Sequence, residues 1–203
     1  MNARLSDSRW EKKLGIITGA ADYEKDDANH SRYEPTPYAV LERLAESGYI
    51  GKGNTLVDYG CGKGRVSFYL DHASGCKTVG VEYDPTLAAA AEKNLSLYSG
   101  RSGAETRMRF VCETAENYAV GNADRFYFFN PFSVKILQSV LGRIRTSWYE
   151  DPREMYLFFY YALDPYLTLL MTDDLIRFAG EIDCRDLFHN DDPREKILVF
   201  RIG

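Results

Sequence analysis

Basic charge is the first thing this sequence lacks. Its 25 lysines and arginines are outnumbered by 30 aspartates and glutamates, leaving a formal net charge of −5 at neutral pH. That balance excludes a protein built mainly to neutralise phosphate backbones, while leaving nucleic acid open as a substrate. Two triplets, Lys52, Lys63 and Arg65 or Arg143, Arg145 and Arg153, could form a local basic patch, but solvated surface charge is the plainer reading. Metal-ligating residues are scarce too. Cys61, Cys76, Cys112 and Cys184 form no CxxC pair, and His30, His72 and His189 stand at no metal-ligand spacing, so buried free thiols are expected and no metal. Long apolar runs are missing: "MYLFFYYAL" is far too short to cross a bilayer. The opening "MNARLSDSRWEKK" carries both charge signs and no apolar segment of a secretory leader. These absences lead to the expectation of a soluble cytoplasmic protein without membrane partners.

A chain of 203 residues suffices for one well-buried domain and shows no seam at which to divide it. Residues 1–32, charged and weakly periodic, read as a partly ordered arm with a short helix near Trp10; residues 33–203 read as the domain. In "YEPTPY", Thr36 is placed to cap a helix whose first position is Pro37, with Val40, Leu41 and Leu44 on one side and Gly48 at its end. "TLVDY", "KTVGVEY", "RMRFVC", "DRFYFFN" and "EMYLFFYYAL" read as strands. Helical spacings follow the first at Val66, Tyr69, Leu70 and Ala73, and the second after Asp84 and Pro85; "SVKILQSVLGRI" is a further helix. Near-continuous apolar strands alternating with helices indicate a parallel sheet covered on both faces. The tail differs: "IRFAGEIDC" and "EKILVFRI", joined by turn residues, suggest an antiparallel pair at one edge.

Chemistry concentrates in "VDYGCGKGRV". A P-loop would need glycine where Val57 stands and serine or threonine where Gly64 stands; a dinucleotide loop would need a small residue at Arg65. Both readings fail. What remains is an Asp-x-Gly-x-Gly-x-Gly loop followed by an acid at the end of the next strand. The Glu82 carboxylate has two oxygens to meet the two hydroxyl donors of a ribose diol, without any phosphate clamp.

This loop resembles motif I of the class I S-adenosylmethionine-dependent methyltransferases, through Asp58, Gly60, Cys61, Gly62 and Gly64. Glu82 in "GVEYDP" is similar to the family's ribose-binding acid, Glu113 after "RFVC" to the acid near the adenine amino group, and "NPF" to the position after the fourth strand. The resemblance covers about Tyr33 to the C-terminus and implies a three-layer α/β sandwich around a seven-stranded, mostly parallel sheet with a reversed last strand. It implies methyl transfer with S-adenosyl-L-methionine as the cofactor. More narrowly, "YEPTPYAVL", "FFNPF" and "DPREMYLFFYY" resemble a bacterial group with NPF at the fourth motif, whose acceptors the resemblance does not supply.

On that resemblance, Asp58 attracts the methionine ammonium, a reading preferred to capping the turn. The glycines permit close backbone approach or positive φ. Tyr83 continues the cofactor rim, Glu113 and Thr114 lie near the adenine, and Tyr33 and Thr36 belong to an aromatic and proline cover. Lys63 and Arg65 are read as surface or substrate-facing residues. Asn130, Pro131 and Phe132 have two readings: they end the strand, or, as in amino-methylating relatives with Asn-Pro-Pro-aromatic, they hold a planar nitrogen acceptor, with Asn130 also beside the cofactor. Two rivals are a non-catalytic S-adenosylmethionine binder and an aminopropyl-type transferase. The latter would draw on the acidic run Asp22, Glu24, Asp26 and Asp27, which reads better as solvated charge. Acceptor class and oligomeric state are not written in the chain.

Overall fold

The computed structural model describes residues 3–19, 33–98, 107–189 and 191–203. The acidic run Asp22–Asp27 and His30 lie outside the described residues. Seven strands, β1 (Thr55–Tyr59), β2 (Lys77–Glu82), β3 (Met108–Cys112), β4 (Arg125–Phe128), β5 (Met155–Tyr160), β6 (Ile176–Asp183) and β7 (Lys196–Ile202), form one sheet in the order β3-β2-β1-β4-β5-β7-β6. The first five pair in parallel, while β7 runs antiparallel to both β5 and β6. This is the three-layer, Rossmann-like arrangement around a seven-stranded, mostly parallel sheet that the resemblance implied. The antiparallel pair does close one edge, with β7 inside and β6 outermost.

Alternation along each strand sends side chains to two apolar clusters. Val57, Tyr59, Phe126, Phe128, Leu157 and Phe159 face α5 (Val134–Glu150) and α6 (Asp164–Met171). Leu56, Tyr127, Phe158 and Tyr160 face the cluster built with α2 (Tyr38–Glu46), α3 (Arg65–Ser74) and Ala91 of α4 (Pro85–Leu97). Helix α4 starts where its signals place it: Asp84 accepts from Thr86 N and Leu87 N, and Pro85 opens the first turn. Helix α6 was not foreseen, although Asp164 and Pro165 carry similar start chemistry.

Three local expectations are corrected. Thr36 does not cap α2; Pro37 occupies the cap position without a side-chain bond, and the Thr36 hydroxyl pairs with the Tyr127 hydroxyl at 3.0 Å. Cys112 is exposed, unlike the three buried thiols, because it ends the edge strand β3. Arg65 is buried at 3 % exposure, joined to Asp7 and Glu11. Two members of the second basic triplet are also engaged: Arg145 pairs with Asp173, and Arg153 donates to the carbonyls of Ala123, Ser147 and Gly121.

The N-terminal arm holds a longer helix than the one expected at Trp10, α1 (Ala3–Leu14). Trp10 donates its indole N–H to Glu42 at 2.6 Å and stacks on Tyr38, while Leu14 and Ile16 are buried in the second cluster. Among the described residues no helix is long and apolar enough to cross a membrane, and no group of three or more histidine, cysteine, aspartate or glutamate side chains could hold a metal ion.

Candidate functional site

Parallel strands deliver their C-terminal ends to one side of the sheet, and a cavity of about 290 Å3 opens there, near the lower end of the range for small-molecule sites. The loop after β1 is pinned across the end of β2, for the N–H groups of Gly60 and Cys61 both donate to the Val81 carbonyl, at 2.9 and 3.1 Å. Gly60 has φ +75°, and a Cβ on it would stand 2.4 Å from Pro131 Cβ. Only glycine fits that approach. At Gly62, φ +53°, a Cβ would lie 2.0 Å from the Tyr33 ring, so the ring seats directly on the loop backbone.

Behind the loop, Glu82 ends β2 with its carboxylate divided: Oε2 accepts from Gly62 N and Oε1 from Asp84 N, each at 2.9 Å. Each oxygen accepts at least one backbone N–H, and a carboxylate with about four lone pairs keeps capacity for a ligand hydroxyl. Burial raises the Glu82 pKa, against the backbone donors of Asp84, Gly62 and Tyr83 that lower it. Asp58, in register with Gly80 on one side and Tyr127 on the other, is almost fully buried. Burial, reinforced by the charge of Glu82, pushes its pKa up to about 8. Glu113 is held close by, its N–H donating to the Glu82 carbonyl at 2.9 Å.

Tyr33, Thr36, Asp58, Gly60 and Cys61 all line the cavity, and Glu82, Tyr83, Glu113, Pro131 and Phe132 complete this set of sequence-derived candidates. Gly62 and Gly64 shape the loop without lining it, and Thr114 is exposed outside it. Asn130 also stands outside the lining. Its side-chain N–H donates to the Tyr161 carbonyl at 2.6 Å, tying the ends of β4 and β5 where both residues have positive φ, 43° and 53°. Arg65, read as surface or substrate-facing, is buried but does line the cavity, whereas sequence reasoning missed Leu87, Tyr127 and Phe129. Leu87 had a usable signal, since it follows the Asp84 cap by three positions; the other two looked like strand core.

The lining is acidic. Glu34, Asp58, Glu82, Asp84, Glu113 and Glu116 contribute carboxyl groups, and among the described lining residues the one cation, Arg65, is already paired. Such a wall suits a ligand bearing positive charge and hydroxyl donors.

Residues 57–132 match the family model described as a methyltransferase domain. A ligand with a sulfonium, an ammonium and a ribose diol answers the carboxyl-rich cavity and its glycine cradle. No curated protein matches the sequence. Among solved structures, the chain is similar to a TehB-like SAM-dependent methyltransferase from Corynebacterium glutamicum, with TM-score 0.57 and 16 % identity over 99 % of this chain and 98 % of that one. It is also similar to an rRNA methylase from Streptococcus thermophilus, with TM-score 0.53 and 15 % identity over 85 % and 99 % of the two chains. A third likeness is to the Pyrococcus abyssi tRNA (uracil-54, C5)-methyltransferase in complex with S-adenosyl-L-homocysteine, with TM-score 0.55 and 16 % identity over 82 % of this chain and 38 % of that one. At these identities the likeness carries the fold and not the acceptor.

Proposed function

We propose that the protein is an S-adenosylmethionine-dependent methyltransferase that transfers the methyl group to a nitrogen of an acceptor without phosphate, admitted beside Phe129, Pro131 and Phe132. The observation that carries the reading is the wall after β4: Pro131 stands against Gly60, Phe132 lines the cavity, and the Asn130 side chain fixes the turn to β5. The six lining carboxyl groups disfavour a polyanion near the cofactor, and so argue against transferring the RNA acceptors of the solved neighbours to this chain. The Asn-Pro-Phe sequence also supports placing the chain in the narrower bacterial group that it resembles.

In this reading Asp58 meets the cofactor ammonium, and the remaining Glu82 lone pairs accept the ribose hydroxyls. Glu113 serves the adenine amino group, Tyr83 and Thr114 its rim, and Tyr33 with Thr36 the cover. Residues 33–203 are the catalytic domain, and the arm before it supports that cover. When bound, S-adenosylmethionine supplies a methyl group already made electrophilic by its sulfonium. The chain's own residues then have to align the acceptor nitrogen and exclude water. Methyl-labelled cofactor incubated with fractionated bacterial extract tests the acceptor: label on a nitrogen of a phosphate-free compound supports the reading, and label on RNA, oxygen or carbon overturns it. Asn130→Ala should lower the transfer rate at least about tenfold, near 1.4 kcal/mol of barrier, with cofactor affinity unchanged.

A further inference from the structure

Arg65 takes the place where a dinucleotide loop would carry a small residue, and it is the first residue of α3. Its guanidinium is shared among four groups. Nε donates to Thr18 Oγ1 at 2.7 Å, Nη1 to Asp7 Oδ2 at 2.6 Å and to the Thr36 carbonyl at 3.2 Å, and Nη2 to Glu11 Oε1 at 3.2 Å. The Tyr38 ring lies 4.5 Å beneath it. Glu11 Oε1 also accepts from both the backbone N–H and the hydroxyl of Thr18, at 2.8 and 2.6 Å. A second fastener holds the same segment from the other side. The Asn94 carboxamide accepts from Ile17 N at 3.0 Å and donates to the carbonyls of Ile17 and Lys63, at 3.1 and 3.0 Å.

From this knot a continuous series of contacts leads to the cofactor acid. Thr18, fixed by Arg65 and Glu11, accepts the Tyr33 hydroxyl on its carbonyl at 2.8 Å. The Tyr33 ring presses on Gly62, and Gly62 N donates to Glu82. A buried ion pair of this kind adds little net stability, because desolvation offsets the attraction; its distinctive effect is to hold one geometry. The geometry held here is that of the glycine loop.

We propose that Arg65 is a positioning residue for the cofactor, joining the carboxylates of α1 through Thr18 and Tyr33 to Gly62 and Glu82, so that docking of the N-terminal helix sets cofactor affinity. The proposal rests on the reading of Glu82 and the glycine loop as the cofactor's holders. It makes α1, distant in sequence from the loop, part of the binding apparatus without touching the ligand.

The test is calorimetric binding of S-adenosylhomocysteine to full-length wild type, Glu82→Ala, Arg65→Lys, Tyr33→Phe and the Arg65→Lys/Tyr33→Phe double variant, each verified as folded at the assay temperature by circular dichroism. Lysine keeps the charge but cannot reproduce the fork. Arg65→Lys and Tyr33→Phe should each raise Kd by roughly fivefold or more, and the double variant by clearly less than the product of the two, as expected for residues in one series. Smaller changes in Kd, or effects that multiply, overturn the proposal; a loss of thermal stability alone assigns Arg65 to folding. Should Arg65→Lys fail to fold, Thr18→Val paired with Tyr33→Phe forms the equivalent cycle. Glu82→Ala separates the two levels: if it leaves Kd unchanged, the reading of the loop fails, whereas a weakened Glu82→Ala beside unaffected Arg65 and Tyr33 variants rejects the positioning role alone.

Discussion

Asp58 sits beside Glu82 at the mouth of the sheet with a pKa raised to about 8, so the folded protein retains a proton there that the unfolded chain releases near pH 4. The stability contributed by this group is full below that lower value and is lost as pH rises toward about 8. Asp58→Asn should therefore flatten the fall in stability of the ligand-free protein across this window, measured by denaturant titration at stepped pH. A cationic ligand favours the carboxylate and drives the proton out. Calorimetry at neutral pH in two buffers of different ionisation enthalpy should reveal proton release on cofactor binding, and Asp58→Asn should abolish it. Glu82 works differently, because Gly62 and Asp84 already hold its two oxygens in place. Glu82→Ala is expected to weaken cofactor binding by about 1 to 3 kcal/mol, the scale of charge-assisted hydrogen bonds, as read by the dissociation constant.

At the scale of elements, the turn after β1 and residues 33–36 both line the cavity, with the Tyr33 ring seated on Gly62. Hydrogen exchange at Tyr33 and Thr36 should slow when S-adenosylmethionine binds; equal exchange with and without it would leave the segment as a fixed wall. Gly60→Ala should destabilise the protein by more than about 1 kcal/mol, since it combines a positive φ with a clash against Pro131, and chemical denaturation measures the loss. These elements also show what a single sequence makes legible. Asp58, Gly60, Glu82 and the Asp84 cap could be read because a strand end, a tight turn and a helix start each impose residue types at fixed spacing. Arg65 could not, for a cation among charged neighbours has the same local pattern whether it meets water or Asp7 and Glu11, more than fifty positions away. Thr36 failed for a related reason: its local role as a cap lost to a hydroxyl partner on β4 that only the folded sheet supplies.

For the whole molecule, ligand-linked stability is the simplest check. S-adenosylmethionine and its demethylated product should raise the melting temperature while NAD does not, since a ligand of the native state alone stabilises it by mass action. Stabilisation by NAD with no response to the methyl donor would overturn the cofactor assignment.

The sheet order has a consequence for how the chain comes into being. Strand β7 is made after β6 yet lies between β6 and β5. Until it emerges from the ribosome, β5 keeps an open hydrogen-bonding edge bearing Phe158 and Phe159, and β6 lacks the neighbour that will anchor it. Unpaired edges of this kind recruit other chains. A nascent chain halted before Lys196 should therefore be a target for chaperones and prone to self-association, and emergence of β7 should act as the closing step that makes it refractory to both.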